Sequence, residues 1–273
     1  MGILNVTPDS FSDGGRFMDP DAALLHAEQL IEDGADILDV GGESTRPDYE
    51  PVCEEEELRR VLPVIEGITR RFDCPVSIDT HKSSVAKAAL SAGAVIVNDV
   101  TGLQSDEQMA QVAAEAGAGV IIMHNARLYR TKTLPDHEDI ILSMLDFMRK
   151  SLTLAFHAGL VAEQLVLDPG LGFGVNTSES LALIRHLPEL KTFGLPVLVG
   201  PSRKRFIGDV LHVKTDQRLM GTAAAVAVSI ARGADMIRVH DVLPIFEIVK
   251  MADAICREST KEESECSLHG WIG

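Results

Sequence analysis

Eight short runs of aliphatic and β-branched residues, each followed by a segment with helical periodicity, constrain the fold of this chain more than any other feature. The runs occupy residues 1–4, 37–40, 76–78, 95–97, 120–123, 165–167, 197–199 and 236–239. Between the runs, apolar residues recur at the spacing of an amphipathic helix, as in residues 58–68. The sequence therefore predicts strands that alternate with helices from the first run to the last.

Four of the predicted joints between a helix and the next strand share the dipeptide Gly-Ala, whose glycines are Gly34, Gly93, Gly117 and Gly233. Glycine accepts the left-handed conformation that commonly ends a helix. Continuously apolar strands separated by helices are buried on both faces, which indicates a parallel sheet. Eight such units predict a closed (β/α)8 TIM barrel of the α/β class, with an open doubly wound sheet as the alternative.

The length and composition of the chain suit one large domain. It has 273 residues, 45% of them hydrophobic, and single barrels commonly run to about 250 residues. We expect one domain over residues 1–256. Residues 257–273 are polar and aperiodic, so we expect a C-terminal tail without regular structure.

Charge and cysteine usage limit the class of partner. A net charge of −16 would repel a nucleic-acid backbone. The most apolar stretch, residues 222–231, is too short to cross a bilayer, and the first residues do not form a signal peptide. The four cysteines have neither metal-ligand nor disulfide-scaffold spacing, which fits a reducing compartment. We expect a cytoplasmic protein that binds neither nucleic acid nor membrane.

Polar residues close almost every predicted strand. A single Asp or Asn in such a place is more often a helix cap than a functional group. In a TIM barrel, however, the active site forms at the carboxyl ends of the strands, and convergence of many polar residues there favours a site. The residues are Asn5, Asp39, Glu43, Asp79, Asn98, His124, Asp168, Ser202, Arg203, Lys204, Arg238 and His240.

Two of the predicted strand-to-helix connections are long and rich in turn-forming residues, at positions 5–15 and 41–47. They predict functional loops over the rim of the barrel. Cations follow the last two strands, at Arg203, Lys204 and Arg205 and then at Arg238 and His240. Barrels often bind phosphate at this place. In so acidic a chain, we interpret these cations as an anion site rather than as a solvated surface.

The carboxylates of the rim suggest the other end of a ligand. Asp79 and Asp168 can each accept paired N–H bonds from a flat amidine-like heterocycle, and Asn98 offers both a donor and an acceptor. The acidic run at residues 54–57 is instead interpreted as a helix start, where negative charge suits the positive end of the helix dipole. The rim is thus predicted to bind a heterocycle that carries an anionic group.

Seven motifs resemble, in order, the signature blocks of the dihydropteroate synthases. They are MGILNVTPDSFSDGG, DVGGESTRP, SIDTHK, NDVTG, LDPGLGFG, PVLVGPSRK and RVHDV, and they extend from residue 1 to about residue 242. The resemblance implies the barrel, a homodimer and Mg²⁺ dependence. It also implies the reaction: a pterin methyl diphosphate condenses with p-aminobenzoate to give 7,8-dihydropteroate and diphosphate in folate biosynthesis.

The resemblance further implies how individual residues act. Asn5 corresponds to a residue that binds the Mg²⁺ accompanying the diphosphate. Thr45, Arg238 and His240 correspond to residues on the diphosphate side. The residues implied to bind or line the slot for the pterin are Asp79, Asn98, Met123, Asp168, Phe173, Gly200 and Lys204.

The second substrate is implied to bind beneath the two loops. Phe11, Arg46 and Pro47 correspond to residues that close over p-aminobenzoate, and Ser202 belongs to the adjacent substrate-binding SRK element. The pterin substrate binds first, diphosphate leaves, and the aromatic amine attacks the resulting delocalised cation. The residues to which catalysis is assigned are Asp79, Arg46, Lys204 and His240.

The chain also departs from the family pattern. Arg205 stands where some relatives have a serine that contacts p-aminobenzoate, and Val175 replaces a common lysine. Residues 125–132 differ from the commoner Met/Gln/Gly-rich version, and the sequence assigns them no role.

Three other functions are weighed against this one. A pterin-binding barrel that transfers a methyl group to a corrinoid protein would share the pterin slot. It would not need residues 44–47 or the SRK element for p-aminobenzoate, and a corrinoid-binding domain would be expected as its partner. An aldolase with Lys204 as Schiff-base lysine would leave the other motifs unexplained. A non-catalytic pterin-binding protein is disfavoured because four residues are present together: Asn5, Arg46, Lys204 and His240.

Overall fold

The computed structural model describes residues 1–7, 20–43, 51–130 and 139–257. The strands in these ranges are β1 (Gly2–Asn5), β2 (Leu38–Gly41), β3 (Val76–Asp79), β4 (Ile96–Asp99), β5 (Gly119–Met123), β6 (Leu165–Asp168), β7 (Leu198–Val199) and β8 (Met236–Ile237). Each overlaps one predicted run, so the prediction of strand positions is confirmed to within one or two residues at each end.

The helices follow the strands as predicted, with additional short ones after β6 and β7. They are α1 (Pro20–Glu32), α2 (Glu54–Arg71), α3 (Ser83–Ser91), α4 (Met109–Glu115), α5 (Ile140–His157), α6 (Thr177–Arg185), α7 (Leu187–Lys191), α8 (Arg205–Leu211), α9 (Leu219–Ala231) and α10 (Val242–Cys256). The acidic run opens α2, as its charge predicts.

The strands close into a ring. β1 to β6 form one parallel sheet in chain order, and β7 pairs with β8. Isolated parallel bridges join Gly2 to Val239 and Leu167 to Val197. The amide of Ile3 donates to the carbonyl of Val239 at 2.9 Å, which connects the first strand to the last. The barrel prediction is therefore confirmed, because an open doubly wound sheet would keep its edge strands apart.

Strand register brings the polar strand ends together. Asn5 is paired with Gly41, Gly41 with Asp79, and Asp79 with Asn98. In a parallel barrel these positions all lie at the carboxyl rim. The register thus places residues that are far apart in the chain at one mouth.

The predicted Gly-Ala joints are used as expected. Gly34 and Gly93 have φ angles of 101° and 109°, which a residue with a Cβ adopts only under strain. A Cβ at Gly93 would also lie 2.9 Å from Cγ2 of Thr69. These joints end the helices beneath the sheet and fix the strand that follows.

Apolar side chains fill the space between the strands and the helices. Val40, Ile78 and Val97 from the strands are fully buried with Val61 and Ile65 from α2. This continuous core supports the strand ends that carry the polar rim.

Among the described residues, no helix has the length and apolarity needed to span a membrane.

Candidate active site

The guanidinium of Arg238, whose side chain is 19% exposed, joins several strand ends at the rim. Arg238 Nε donates to Asp39 Oδ2 at 2.6 Å, and Arg238 Nη2 donates to Asp79 Oδ2 at 2.7 Å. Asn98 Nδ2 also donates to Asp39 Oδ2, at 3.0 Å. Residues from β2, β3, β4 and the end of β8 are thereby joined across the mouth. We call Asp39, Asp79, Asn98 and Arg238 the Arg238 cluster.

Two further groups of opposite charge, Asp168 and Lys204, lie beside this cluster. The pKa values of Asp168 and Lys204 each respond to the charge of the other residue. Asp168 Oδ1 accepts from the amide of Gly170 at 2.7 Å, and Lys204 Nζ donates to the carbonyl of Leu171. The same ammonium lies 4.8 Å from the ring centroid of Phe173, within cation–π range. Charge and aromatic surface therefore meet at one place.

The electrostatics of the site are set by burial. Burial raises the pKa of Asp79 to about 7, although Arg238 acts in the opposite direction. Burial also raises the pKa of Asp168, against the effect of Lys204. Burial lowers the pKa of Lys204 to about 8, and Asp168 opposes this change. The two acids therefore keep their protons to a higher pH than they would in water, and the lysine loses its proton at a lower pH.

The pKa of Arg238 has a different balance. Burial acts to lower it, but Asp39 and Asp79 outweigh burial, and the pKa is raised overall. The guanidinium is accordingly a permanent cation bonded to two carboxyl groups. Asp39, Asp79 and Asp168 face Arg238 and Lys204, so carboxyl groups outnumber cations in this part of the rim. Such a site suits a ligand that presents N–H donors or develops positive charge.

The remaining predicted residues of the described ranges lie at the same mouth. Ser202 Oγ accepts from the amide of His240 at 3.2 Å and bonds with His240 Nδ1 at 3.0 Å. Met123 is register partner to Asp168 and is buried. Asn5 is the last residue of β1. Gly200 lies beside Arg238, since a Cβ placed on Gly200 would be 3.7 Å from Cβ of Arg238. Phe11, Thr45, Arg46 and Pro47 lie outside the described residues.

The cations that follow β7 do not act as one group. Arg203 has a φ of 56° and forms a two-point ion pair with Asp241, in which Nε lies 2.8 Å from Oδ2. Arg205 is largely exposed beside Asp209. Lys204 alone of the three faces the buried site. Arg203 therefore links the loop after β7 to the loop after β8 through its ion pair with Asp241, whereas the sequence had grouped it with an anion site.

His124, another rim residue, has a structural environment. Its Nδ1 bonds with the carbonyl of Pro169 at 3.0 Å, and its Nε2 bonds with the hydroxyl of Tyr129 at 2.7 Å. Burial lowers its pKa to about 4. The ring is therefore neutral near pH 7 and joins two loops.

Two residues of the rim have partners that the sequence did not predict. Asp39 is completely buried and bonds to both Arg238 and Asn98; an acid inside the apolar run of β2 was the available signal. The second is Lys82, whose ammonium bonds to Glu43 and Glu57. Glu57 belongs to the acidic run, so one of those glutamates does more than open a helix.

Comparison with known proteins adds an independent result. The family model described as "Pterin binding enzyme" matches residues 1–240. The dihydropteroate synthase of Bacillus subtilis is 47% identical over 255 residues, which are 93% of this chain and 87% of that protein.

Solved structures agree with that relationship. The dihydropteroate synthase of Clostridium difficile, crystallised in the presence of pteroic acid, has a TM-score of 0.89 and 47% identity, and the match covers 94% of this chain and 96% of that one. The enzyme of Xanthomonas albilineans with 4-aminobenzoic acid has a TM-score of 0.87 and 41% identity, with 93% and 91% covered. The chain therefore belongs to the pterin-binding enzyme family and, within it, to the dihydropteroate synthases.

Proposed function

We propose that this protein condenses a pterin methyl diphosphate with p-aminobenzoate, in an Mg²⁺-dependent reaction that releases diphosphate. The observation that carries the proposal is the buried juxtaposition of the Arg238 cluster with Asp168, Lys204 and Phe173. A pterin is a flat heterocycle with an amidine-like edge. Buried carboxyl groups accept hydrogen bonds from such an edge, while an aromatic side chain packs on the ring.

The pterin ring is assigned to Asp79, Asn98, Asp168 and Lys204. Asp168 already accepts one bond from Gly170 and keeps acceptor capacity for a ligand. Asn98 uses its amide nitrogen on Asp39, which leaves its carbonyl oxygen as an acceptor. Met123, Phe173 and Gly200 are assigned to the lining of the slot. This arrangement favours a ligand with several N–H groups over an aliphatic acid.

The diphosphate is assigned to the side of the mouth with Asn5, Thr45, Arg238 and His240. Asn5 fits Mg²⁺ by the chemistry of its side-chain oxygen, because this hard cation prefers oxygen ligands. Within the described ranges no group of three or more His, Cys, Asp and Glu side chains could hold a metal. Mg²⁺ often has few protein ligands and takes others from substrate phosphates. When bound, it would neutralise charge on the leaving diphosphate.

The p-aminobenzoate is assigned to Phe11, Arg46, Pro47 and Ser202. Arg46 supplies a guanidinium that can pair with the carboxylate of this substrate or with the departing diphosphate. These loop assignments are carried by the resemblance of residues 1–15 and 39–47 to the family motifs.

The chemistry follows from the charges of the site. Departure of diphosphate leaves positive charge on the pterin, and the carboxylate of Asp79 stabilises that charge. Arg238 and His240 stabilise the charge on the departing group. Because these groups are held in place by hydrogen bonds and are largely buried, their interactions are stronger than they would be in solution.

We also propose a homodimer that buries the outer faces of α9 and α10, which pack against each other. Met220, Val228, Leu243, Met251 and Ile255 are each at least half exposed on these helices. Neighbouring exposed apolar side chains of this kind favour an interface with a second copy.

Light scattering tests the dimer. Met220→Glu with Ile255→Glu is expected to give a monomer, whereas Leu25→Glu, on the exposed surface of α1, is expected to leave a dimer. A dimer that survives the double substitution would contradict this interface.

The free thiols Cys53, Cys74 and Cys256 support placing the protein in the reducing cytoplasm.

Incubation of the purified protein with the pterin diphosphate, p-aminobenzoate and Mg²⁺ tests the reaction. Formation of 7,8-dihydropteroate and one equivalent of diphosphate is expected. Pterin binding without product would instead support a pterin-binding protein of another activity.

A further inference from the structure

The loop after β5, residues 124–130, packs closely against the loop after β6, residues 169–174. We call them the β5 loop and the glycine loop. The amide of His124 donates to the carbonyl of Asp168 at 2.9 Å, and the amide of Ala126 donates to the carbonyl of Phe173 at 3.0 Å. The guanidinium carbon of Arg127 lies 5.3 Å from the ring centroid of Phe173. Backbone and side chain of the β5 loop therefore both fix Phe173.

Two glycines permit this close approach. A Cβ at Gly170 would lie 1.8 Å from the carbonyl oxygen of His124, and one at Gly174 would lie 2.5 Å from the amide nitrogen of Arg127. Both glycines also have positive φ angles, of 72° each. The two loops are therefore in backbone contact, and a shift of one must move the other.

Arg130 joins the β5 loop to the end of the glycine loop. Its Nη1 donates to Glu179 Oε2 at 2.9 Å and to the carbonyl of Gly174 at 3.1 Å, while Nη2 donates to Glu179 Oε1 at 2.7 Å. The two side chains are only 24% and 15% exposed. A partly buried two-point pair of this geometry is more specific and less screened than a surface ion pair.

Glu179 is itself held in place. Its Oε2 accepts from the amide of Asn176 at 2.7 Å, and the side chain of Asn176 accepts from the amide of Glu179 at 2.9 Å. This capping box fixes the start of α6. Arg130 therefore anchors the β5 loop to a rigid helix end rather than to a mobile side chain.

The glycine loop in turn carries two elements of the site. It presents the ring of Phe173, and its Leu171 carbonyl accepts from Lys204 Nζ. We propose that Arg130 and Glu179, with Arg127 stacked on Phe173, are positioning residues that set the affinity for the heterocyclic substrate. This inference rests on the proposed function in taking that substrate to be a pterin, and it gives a role to residues 125–130.

The alternative is that the pair only stabilises the fold. The two roles differ in what they change. A stability role lowers the thermal midpoint and leaves the binding constants of the folded protein alone. A positioning role weakens the pterin selectively, because Phe173 and Lys204 are displaced while the p-aminobenzoate side of the mouth is not.

Three substitutions separate these outcomes. Glu179→Gln removes the charge but keeps an oxygen that can accept from Asn176. Arg130→Met keeps the apolar stem and removes every donor, and Arg130→Lys keeps the charge without the two-point geometry. The matched control is Arg149→Met, which breaks a surface pair with Asp146 whose side chains are 62% and 67% exposed.

Calorimetric titration of a non-reactive pterin analogue, with the thermal midpoint and both KM values, is the measurement. Arg130→Met is expected to weaken the analogue at least fivefold and to raise KM for the pterin diphosphate similarly, since small displacements of a binding group can cost up to roughly a hundredfold. The analogue affinities of Glu179→Gln and Arg130→Lys should lie between those of Arg130→Met and the parent. KM for p-aminobenzoate should change less than about twofold, as should every constant of Arg149→Met.

A lowered midpoint with unchanged analogue affinity would overturn the proposal, and so would equal weakening of both substrates. Analogue binding is measured without turnover, so it separates this inference from the proposed reaction. A parent protein that binds the analogue and forms no product would contradict the reaction alone.

Discussion

Arg238 Nη2 and Asp79 Oδ2 lie 2.7 Å apart across the barrel mouth, although 159 residues separate them in the chain. The bond joins the end of β8 to the end of β3 and makes Asp79 part of a charge network with Asp39. Burial raises the pKa of Asp79 to about 7 although Arg238 opposes this rise, so the neutral and the ionised form of Asp79 are both within reach of neutral pH. This relationship determines how the site should respond to substitution and to pH.

Asp79→Asn should reduce turnover far more than binding. It keeps the shape of the side chain but removes the charge that stabilises the pterin cation. The expected loss is on the order of 3 kcal/mol, or roughly a hundredfold in kcat. Affinity for a pterin analogue should fall less, because the ground state lacks the full charge. A lowered thermal midpoint with normal kcat would reduce Asp79 to a structural partner of Arg238.

The pH profile of kcat/KM for the pterin substrate should be bell-shaped. Asp79 must be ionised, so activity rises with pH through about 7; Lys204 must be protonated, so activity falls above about 8. Asp79→Asn should remove the acidic limb and Lys204→Met the alkaline one. An acidic limb that persists in Asp79→Asn would show that another group titrates.

The same pKa of Asp79 affects stability in the opposite direction. The folded protein holds this proton up to about pH 7, whereas the unfolded chain releases it near the ordinary value of 3.8. The contribution of Asp79 to the free energy of unfolding is therefore fully present below pH 3.8 and is lost as pH rises toward 7. Denaturation at several pH values should show a flatter profile for Asp79→Asn than for the parent.

Asp39→Asn should destabilise the protein as well as the site. Asp39 is completely buried and accepts from Arg238 and Asn98. The substitution weakens both bonds, one of which holds the largely buried guanidinium of Arg238, so we expect the free energy of unfolding to fall by about 1–3 kcal/mol. Asp146→Asn, on the surface of α5, is the control and should change it by less than about 0.5 kcal/mol. Urea denaturation measures both, and equal stability of the two variants would contradict the role given to Asp39.

Substitutions should separate the two substrates. Lys204→Ala and Asp168→Asn are expected to weaken a pterin analogue, whereas Arg46→Ala should leave that affinity largely intact and raise KM for p-aminobenzoate. Titration of the analogue into each variant, with steady-state kinetics, checks the division. Equal weakening in all three variants would show that the site is not divided in this way.

Asn5→Ala should reduce turnover strongly without changing the fold, because Asn5 ends β1 at the rim rather than in the packed core. Circular dichroism should match the parent, and the concentration of Mg²⁺ needed for half-maximal activity should rise. Parent-like activity with the same Mg²⁺ dependence would remove Asn5 from the metal site.

The sequence by itself determined the order of strands and helices, because burial on both faces requires continuous apolar runs at each strand. It also determined which residues stand at strand ends, and hence that Asp79, Asn98, Asp168 and Arg238 would share a rim once the barrel closed. The Gly-Ala joints were readable for the same local reason: a helix that ends in a left-handed residue requires glycine.

Only the tertiary structure decided which charges pair. Asp39 bonds to Arg238 across 199 residues, and Arg130 bonds to Glu179 across 49. Arg203 turns to Asp241, although it adjoins Lys204 in the chain. No local pattern specifies such partners, because hydrogen-bond geometry within about 3 Å depends on how strands are staggered and on where each loop returns.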